Sequence, residues 1–481
     1  MARVGAAAVV GLLALQVGCA GTHEAHVRQR LASARERQVP VRPAVDAGGP
    51  PAPGTGAAVQ AEGPRAPPGD LTGYCAWALA RSPRVRAAFF RFEAAVHRIA
   101  GARRLPEPTV GFGLFLRSVE TRVGPQRARI SLQQAFPWPT RLLAGADAAS
   151  AEARAAEQRF EAESLAVVRR VSEAYWQLWQ LRRVRVLQRE HLIVLRALSE
   201  AARARLITGA ASLADQQQID LSVVRFEDAL QGLEERERVA QARLRAAAGL
   251  SAGTRLATPD APPGLSLPSD DLATLAAQMR AHPGIVARSL SAEARESSAR
   301  AAEAQRFPSF MLGADWIVTG SGGLPGDPDR GKDAVMVGAG LSVPLWQGSY
   351  ADAASAARAE AQAVRADWRA ALDNARAELE RAASDVRDSA RRAHLYQHAL
   401  LPQAEAAYAS VLGGYSSGRS TVAQTLLAQR DLAELRVGLA RARAAHARAW
   451  SRLEQVSGRG LSRVSYAPPS QTEDASSGNR E

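Results

Sequence analysis

Thr208-Gly209-Ala210-Ala211-Ser212-Leu213-Ala214-Asp215 is answered in the second half of the chain by Ser417-Gly418-Arg419-Ser420-Thr421-Val422-Ala423-Gln424. In each, a glycine sits in a short turn between long runs of helix-forming residues. Stepping away from the turns by the same offset pairs Arg182 with Arg391, Arg183 with Arg392, Gln188 with Gln397, Leu192 with Leu401, Leu244 with Leu453, and Gly249 with Gly458. The register holds without a gap from Ala135 to Gly249. Earlier landmarks, Pro83 with Pro283 and Pro106 with Pro308, sit at smaller offsets, so the extra residues of the second half fall between Pro308 and Pro344. A Gly/Pro/Asp-rich run at 319–333 lies there. A duplication that accepts an insertion in one loop and none along its helices implies that helix length is under geometric constraint.

After Pro139, residues 140–206 contain no proline and almost no glycine, and are dense in Ala, Glu, Arg and Leu. One helix of that length reaches about 100 Å. The matching run at 349–413 is interrupted by Pro402, where a kink or local bend is expected. Beyond the glycine turns, 212–248 and 421–456 read as return helices, each closed by a glycine. Such helices need neighbours along their whole length. Leu165, Val168, Ser172, Tyr175, Trp176 and Trp179 follow a helical period and read as coiled-coil packing.

Four short segments alternate instead. Val110, Phe112, Leu114 and Leu116 share one face, and 127–133 alternates polar with apolar. In the second half Phe310, Leu312, Ala314, Trp316 and Val318 share a face with Asp315 opposite. Val335, Val337, Ala339, Leu341 and Val343 oppose Met336, Gly338, Gly340 and Ser342. Apart from the N-terminal segment, no stretch has the run of roughly 18 apolar residues a transmembrane helix needs. A membrane crossing therefore falls to strands, which are apolar on one side and small or polar on the other as a barrel wall requires. Four strands do not close a barrel, and an open edge in lipid leaves backbone groups unsatisfied, so further copies of the chain would have to complete it. Taken one by one, the same segments also fit two soluble hairpins on a helical bundle; export, duplication and the gapless helices weigh against that.

Export is read from Arg3, the apolar stretch 6–15 and the small residues before Cys19, which give a signal peptide over 1–18. Leu15-Gln16-Val17-Gly18-Cys19 resembles a bacterial lipobox, with Gln16 where that motif prefers leucine, and makes Cys19 the candidate lipidation site. Ala20 after it favours sorting to the outer membrane by the same resemblance. Cys75 is then left without a disulfide partner. Residues 19–70, rich in Pro, Ala and Gly, read as a loose linker, and 459–481 as a flexible tail. Between them lie repeat one at 71–250, with strands about 108–117 and 127–136 and a helical hairpin at 139–249, and repeat two at 251–458, with strands about 309–319 and 334–344 and a hairpin at 349–457. The 481 residues thus form one duplicated body, mostly α with a small β part. The net charge of +13 sits on arginines interspersed with acids at helical spacing, with few aromatics between, which argues against nucleic acid.

No phosphate loop, cysteine cluster or nucleophile motif is present, so neither enzyme activity nor a cofactor is expected. His394 and His398 stand at i, i+4, but two ligands without a nearby carboxylate or thiol make a weak metal site.

In this combination the chain resembles the TolC-like outer membrane efflux proteins over about 71–458. The resemblance rests on 205–215, on Gly414-Tyr415-Ser416-Ser417-Gly418-Arg419-Ser420-Thr421 with Leu426 and Gln429, and on Gln134-Ala135-Phe136-Pro137-Trp138-Pro139-Thr140-Arg141-Leu142, which is similar to a motif of heavy-metal efflux channels. It implies a homotrimer whose twelve-stranded barrel in the outer membrane continues as a helical tunnel into the periplasm. It also implies a periplasmic adaptor and an inner-membrane pump of the RND type as partners, with outer membrane lipid around the strands. Adaptor contacts carry over to Thr208, Gly209, Ala210, Ser417, Gly418 and Arg419, and the periplasmic aperture to Asp215, Tyr415, Gln424 and Leu427. Gln424 and Leu427 stand where the family often has acids, which should weaken cation attraction at the mouth and leaves an apolar constriction at Leu427 as a substitute gate. Metal cations or small toxic compounds are the expected cargo. A type I protein secretion channel and a pore-free periplasmic helical protein are the other readings.

Overall fold

A computed structural model describes residues 22–37, 69–209, 211–259, 261–326 and 328–466. The signal segment, Cys19, most of the linker and the end of the tail lie outside them. The chain divides into two compact units.

The first unit holds 88–159 and 284–371 together with the helix α1 (Thr22–Arg37). Its centre is an antiparallel sheet of β1 (Thr109–Thr121), β2 (Gly124–Phe136), β4 (Ser309–Thr319) and β5 (Ala334–Ser342), in the order β1-β2-β4-β5. Cross-strand register places Phe112, Ile130, Trp316 and Val335 in one row and Val110, Leu132, Ala314 and Val337 in the next. Paired residues share a face, so the apolar sets expected from alternation fall together. That face is bare, with Phe112 80% and Leu116 97% exposed. On the other, Gly111, Ser131, Asp315 and Met336 align, and buried Asp315 receives Arg129 Nε and Nη2, each at 2.8 Å. The outer edges of β1 and β5 pair with no strand among the described residues.

The first hairpin is longer than the sequence suggests. Its strands run on to Thr121 and begin at Gly124, so the loop expected at 117–126 is a two-residue turn with a register shift between Leu114 and Val119. The bulge breaks the alternation that would have revealed it. The second hairpin carries the insertion where the offsets place it, between Thr319 and Ala334. It folds over the first turn, with Gly331 N donating to Val123 O at 2.7 Å and Gly320 N to Pro125 O at 2.7 Å. A Cβ on Gly124, whose φ is +137°, would lie 2.3 Å from Gly320 O.

Helix α1 corrects the expectation of a loose segment throughout 19–70. Glu24, Val27, Leu31 and Ala34 form a buried stripe at helical spacing, and Glu24 holds Arg28 at 2.7 Å and Arg103 at 2.9 Å. Arg35 pairs with Glu93 and Arg30 with Glu157. The Pro- and Gly-poor start of the linker was averaged away by the Pro-rich part that follows it.

The second unit contains 69–87, 160–283 and 372–466. α2 (Leu71–Arg81) and α3 (Pro83–Arg103) precede β1, and α6 (Leu272–Arg280) and α7 (Pro283–Glu303) precede β4, so each repeat opens alike. The return helices α5 (Leu213–Ala248) and α10 (Val422–Ser457) are both 36 residues long. α4 (Pro139–Ile207) is unbroken over 69 residues. Its counterpart is α8 (Gln347–Leu395), a π-turn (Tyr396–Leu400) and α9 (Leu401–Ser416). Pro402, lacking an N–H and crowding the preceding turn, is accommodated by that wider turn. Of the expected stripe, Ser172, Tyr175 and Trp179 are buried together with Val171 and Leu178, whereas Leu165, Val168 and Trp176 are half-buried. A second core joins Leu275, Met279, Leu379, Val386, Trp450 and Leu453. β6 (Arg463–Ser465) pairs with β3 (Ser266–Pro268), so the start of the expected tail is ordered. His446 Nε2 accepts from Ser266 N at 3.2 Å beside that pairing.

Candidate functional site

The two turns are built from equivalent residues. Gly209 and Gly418 have φ of +72° and +76°, the left-handed region that glycine occupies without strain, and among the described residues, chain neighbours aside, neither has an atom within 4 Å of where a Cβ would stand. Both turns are therefore open at their apex. Thr208 Oγ1 donates to Arg205 O at 3.0 Å, and Arg419 Nε to Ser417 Oγ at 3.1 Å. Ala210 lies outside the described residues.

Asp215 and Gln424 serve the helix starts. Ser212 caps α5 by accepting from Asp215 N at 3.1 Å while Asp215 Oδ2 accepts from Ser212 N at 3.3 Å. Thr421 and Gln424 repeat the arrangement on α10, with Thr421 N donating to Gln424 Oε1 at 2.9 Å. Reciprocal capping needs a side-chain acceptor at this position and works with an amide as well as a carboxylate. Gln424 thus keeps the structural half of the acid's task and loses only its charge. The S-x-x-D and T-x-x-Q spacings carried this signal.

Tyr415 is buried with Leu198, Ala202, Ile219 and Val422. Arg205 Nη1 donates to its carbonyl at 2.7 Å, a contact that was not anticipated. Leu427 is exposed. Two further links between helices lie on the same hairpins. Ser199 Oγ donates to Asp220 Oδ1 at 2.7 Å, and with Gln216 holds that carboxyl below its ordinary range. Gln429 Nε2 donates to His191 Nδ1 at 3.0 Å, and Phe226 packs on that imidazole at 4.2 Å. Burial lowers the His191 pKa to about 4. Single polar residues on long helices give no sign of such pairings until the helices are set side by side.

His394 and His398 have ring centres 4.4 Å apart, beside Tyr466. No group of three or more metal-ligating side chains occurs among the described residues. Phe136-Pro137-Trp138-Pro139 joins β2 to α4, with Trp138 stacked on Phe307 at 5.2 Å and Phe310 at 6.3 Å.

The family described as "Outer membrane efflux protein" matches residues 76–250 and 278–459, one match per repeat. Among solved structures, the outer membrane protein VceC from Vibrio cholerae is 20% identical with a TM-score of 0.68, covering 82% of this chain and 97% of that one. CusC is 16% identical with a TM-score of 0.69, covering 81% and 92%. The MtrE outer membrane channel of Neisseria gonorrhoeae is 16% identical with a TM-score of 0.67, covering 82% and 91%. These likenesses establish the fold. No curated protein matches the chain by sequence.

Proposed function

The chain belongs to the outer membrane efflux protein family, and on that premise we propose that three copies form the outlet of a tripartite pump. An adaptor at the glycine turns and an inner-membrane pump of the RND type deliver metal cations or small toxic compounds to it. The observation that carries this reading is the four-stranded sheet, bare and apolar on one face, mostly small or polar on the other, and unpaired at both edges among the described residues. Copies joined edge to edge satisfy the backbone of β1 and β5 and turn Phe112, Leu116 and Val337 toward lipid. Six helical hairpins with equal return helices then make a conduit with an even end. The glycine apices, without steric neighbours among the described residues at Gly209 and Gly418, leave room there for a partner's backbone.

Cys19 is proposed to carry lipid. The helix that begins just after it is fastened through Glu24 to Arg103, shortly before β1 starts, which suits an anchor at the barrel's base. The residues similar to a metal-pump motif also serve as a stacked strand-to-helix joint, so the cargo is tested directly. A deletion strain grown with zinc, cobalt, cadmium or copper, and with dyes and hydrophobic antibiotics, tests it by growth and intracellular accumulation. Metal sensitivity restored by the intact gene assigns cations, and sensitivity to organics alone removes them. Heat-resistant trimers that conduct in planar bilayers are expected. A monomer released by osmotic shock would refute the channel.

A further inference from the structure

The strand-to-helix joints of both repeats border one cleft of 530 Å³ within the first unit. Trp138, Arg141, Phe307, Leu345, Trp346 and Tyr350 line it. One wall is fixed by the stack of Trp138 on Phe307. The other is apolar and open, with Leu345 76% and Trp346 77% exposed. Arg141 has no ion-pair partner among the described residues. Both long helices, α4 and α8, begin at this cleft, and neither has an acidic residue in its first turn, so two positive helix ends stand uncompensated beside the guanidinium.

Charge and apolar surface here call for one ligand that has both. A soluble anion would leave Trp346 and Leu345 in water, and an apolar segment would leave Arg141 and the helix ends without a counter-charge. Exposed tryptophans at the end of an apolar strand face also mark the depth at which headgroups lie. We propose that this cleft binds an anionic phospholipid, its phosphate at Arg141 and the starts of α4 and α8, and its acyl chain along Trp346 toward Val343 and Leu341. The proposal rests on the membrane reading of the sheet and adds a specific lipid site to it.

The test uses the purified full chain in detergent micelles doped with phospholipid brominated on its acyl chains, which quenches nearby tryptophan fluorescence. The difference between wild type and Trp346→Phe isolates the cleft, and Trp316 reports the sheet face. Half-quenching of the Trp346 signal should need about fivefold less phosphatidylglycerol than phosphatidylcholine, the preference one arginine near a membrane surface confers. Arg141→Ala should erase that preference and Arg141→Lys keep part of it. Arg104→Ala, which removes an exposed arginine that is paired with Glu107 and does not line the cleft, should leave it intact. Equal response to both lipids, or a preference that survives Arg141→Ala, overturns the site while Trp316 quenching sustains the membrane reading. Trp316 left unquenched by every lipid would remove the membrane reading and the site with it.

Discussion

Arg205 of the first repeat grips Tyr415 of the second at two points, donating from Nη1 to its carbonyl at 2.7 Å and standing with its guanidinium carbon 4.8 Å from its ring centre. The Tyr415 hydroxyl is buried and bonds to nothing among the described residues. The ring and the backbone, rather than the hydroxyl, tie the two hairpins together beside the glycine turns.

Arg205→Ala should therefore loosen this end of the hairpins by about 2 kcal/mol, losing a charged hydrogen bond and a cation–π contact together. Tyr415→Phe should cost less than about 0.5 kcal/mol, since it removes only an unpaired group. Single-channel recordings check both: larger closed-state conductance in R205A and none in Y415F is the expected pattern. The reverse order would put the latch on the hydroxyl.

Gly209→Ala and Gly418→Ala each force a side chain into the left-handed region with no clash to add, so each should destabilise by about 1 kcal/mol. Gly124→Ala meets the Gly320 carbonyl at 2.3 Å and should disrupt the interlocked loops instead. Thermal midpoints separate a uniform small shift from a folding failure. If the turns also receive an adaptor, the alanine variants should lose pump function beyond what their stability loss explains.

Gln424→Glu keeps the capping acceptor and restores a charge, so it should leave the melting temperature nearly unchanged while making the channel susceptible to block by a trivalent cation. Asp215→Ala should cost about 1 kcal/mol through the lost cap. Titrating hexamminecobalt in bilayer recordings of Q424E checks the first. Block identical to wild type would show that this position does not face the permeation path.

The duplication made the long helices, the glycine turns and the place of the insertion readable, because each depends on local chemistry repeated in register. What the sequence hid was set by neighbours. Arg182 and Arg391 are equivalent in sequence, yet Arg182 bonds Glu237 on the return helix and Thr258 and the Leu256 carbonyl in the loop beyond it, while Arg391 bonds Asp388 on its own helix. The local difference, Asp388 three residues before Arg391 where Trp179 precedes Arg182, accounts for the second pairing, but nothing near Arg182 in sequence points to its distant partners. The site was legible as a pair of turns, but Arg205, His191 and Gln429 acquire their roles only when helices distant in sequence lie together. The capping pairs at Ser212 and Thr421, by contrast, are readable from their S-x-x-D and T-x-x-Q spacings alone.

His191 sets an acid limit on stability. Its pKa is about 4 in the fold, lowered by burial, against an ordinary 6.5 in the unfolded chain, so between those values the unfolded state binds the extra proton. The contribution is complete above pH 6.5, shrinks as pH falls toward 4, and is level below that, by on the order of 3 kcal/mol over the window. His282 and His446 are lowered by burial as well and steepen the same limb. His191→Gln offers the Gln429 amide an acceptor while removing the titration, so its thermal midpoint should fall less than wild type's between pH 6.5 and 4. Equal pH slopes in the two proteins would mean that the imidazole takes up its proton without leaving the helix interface.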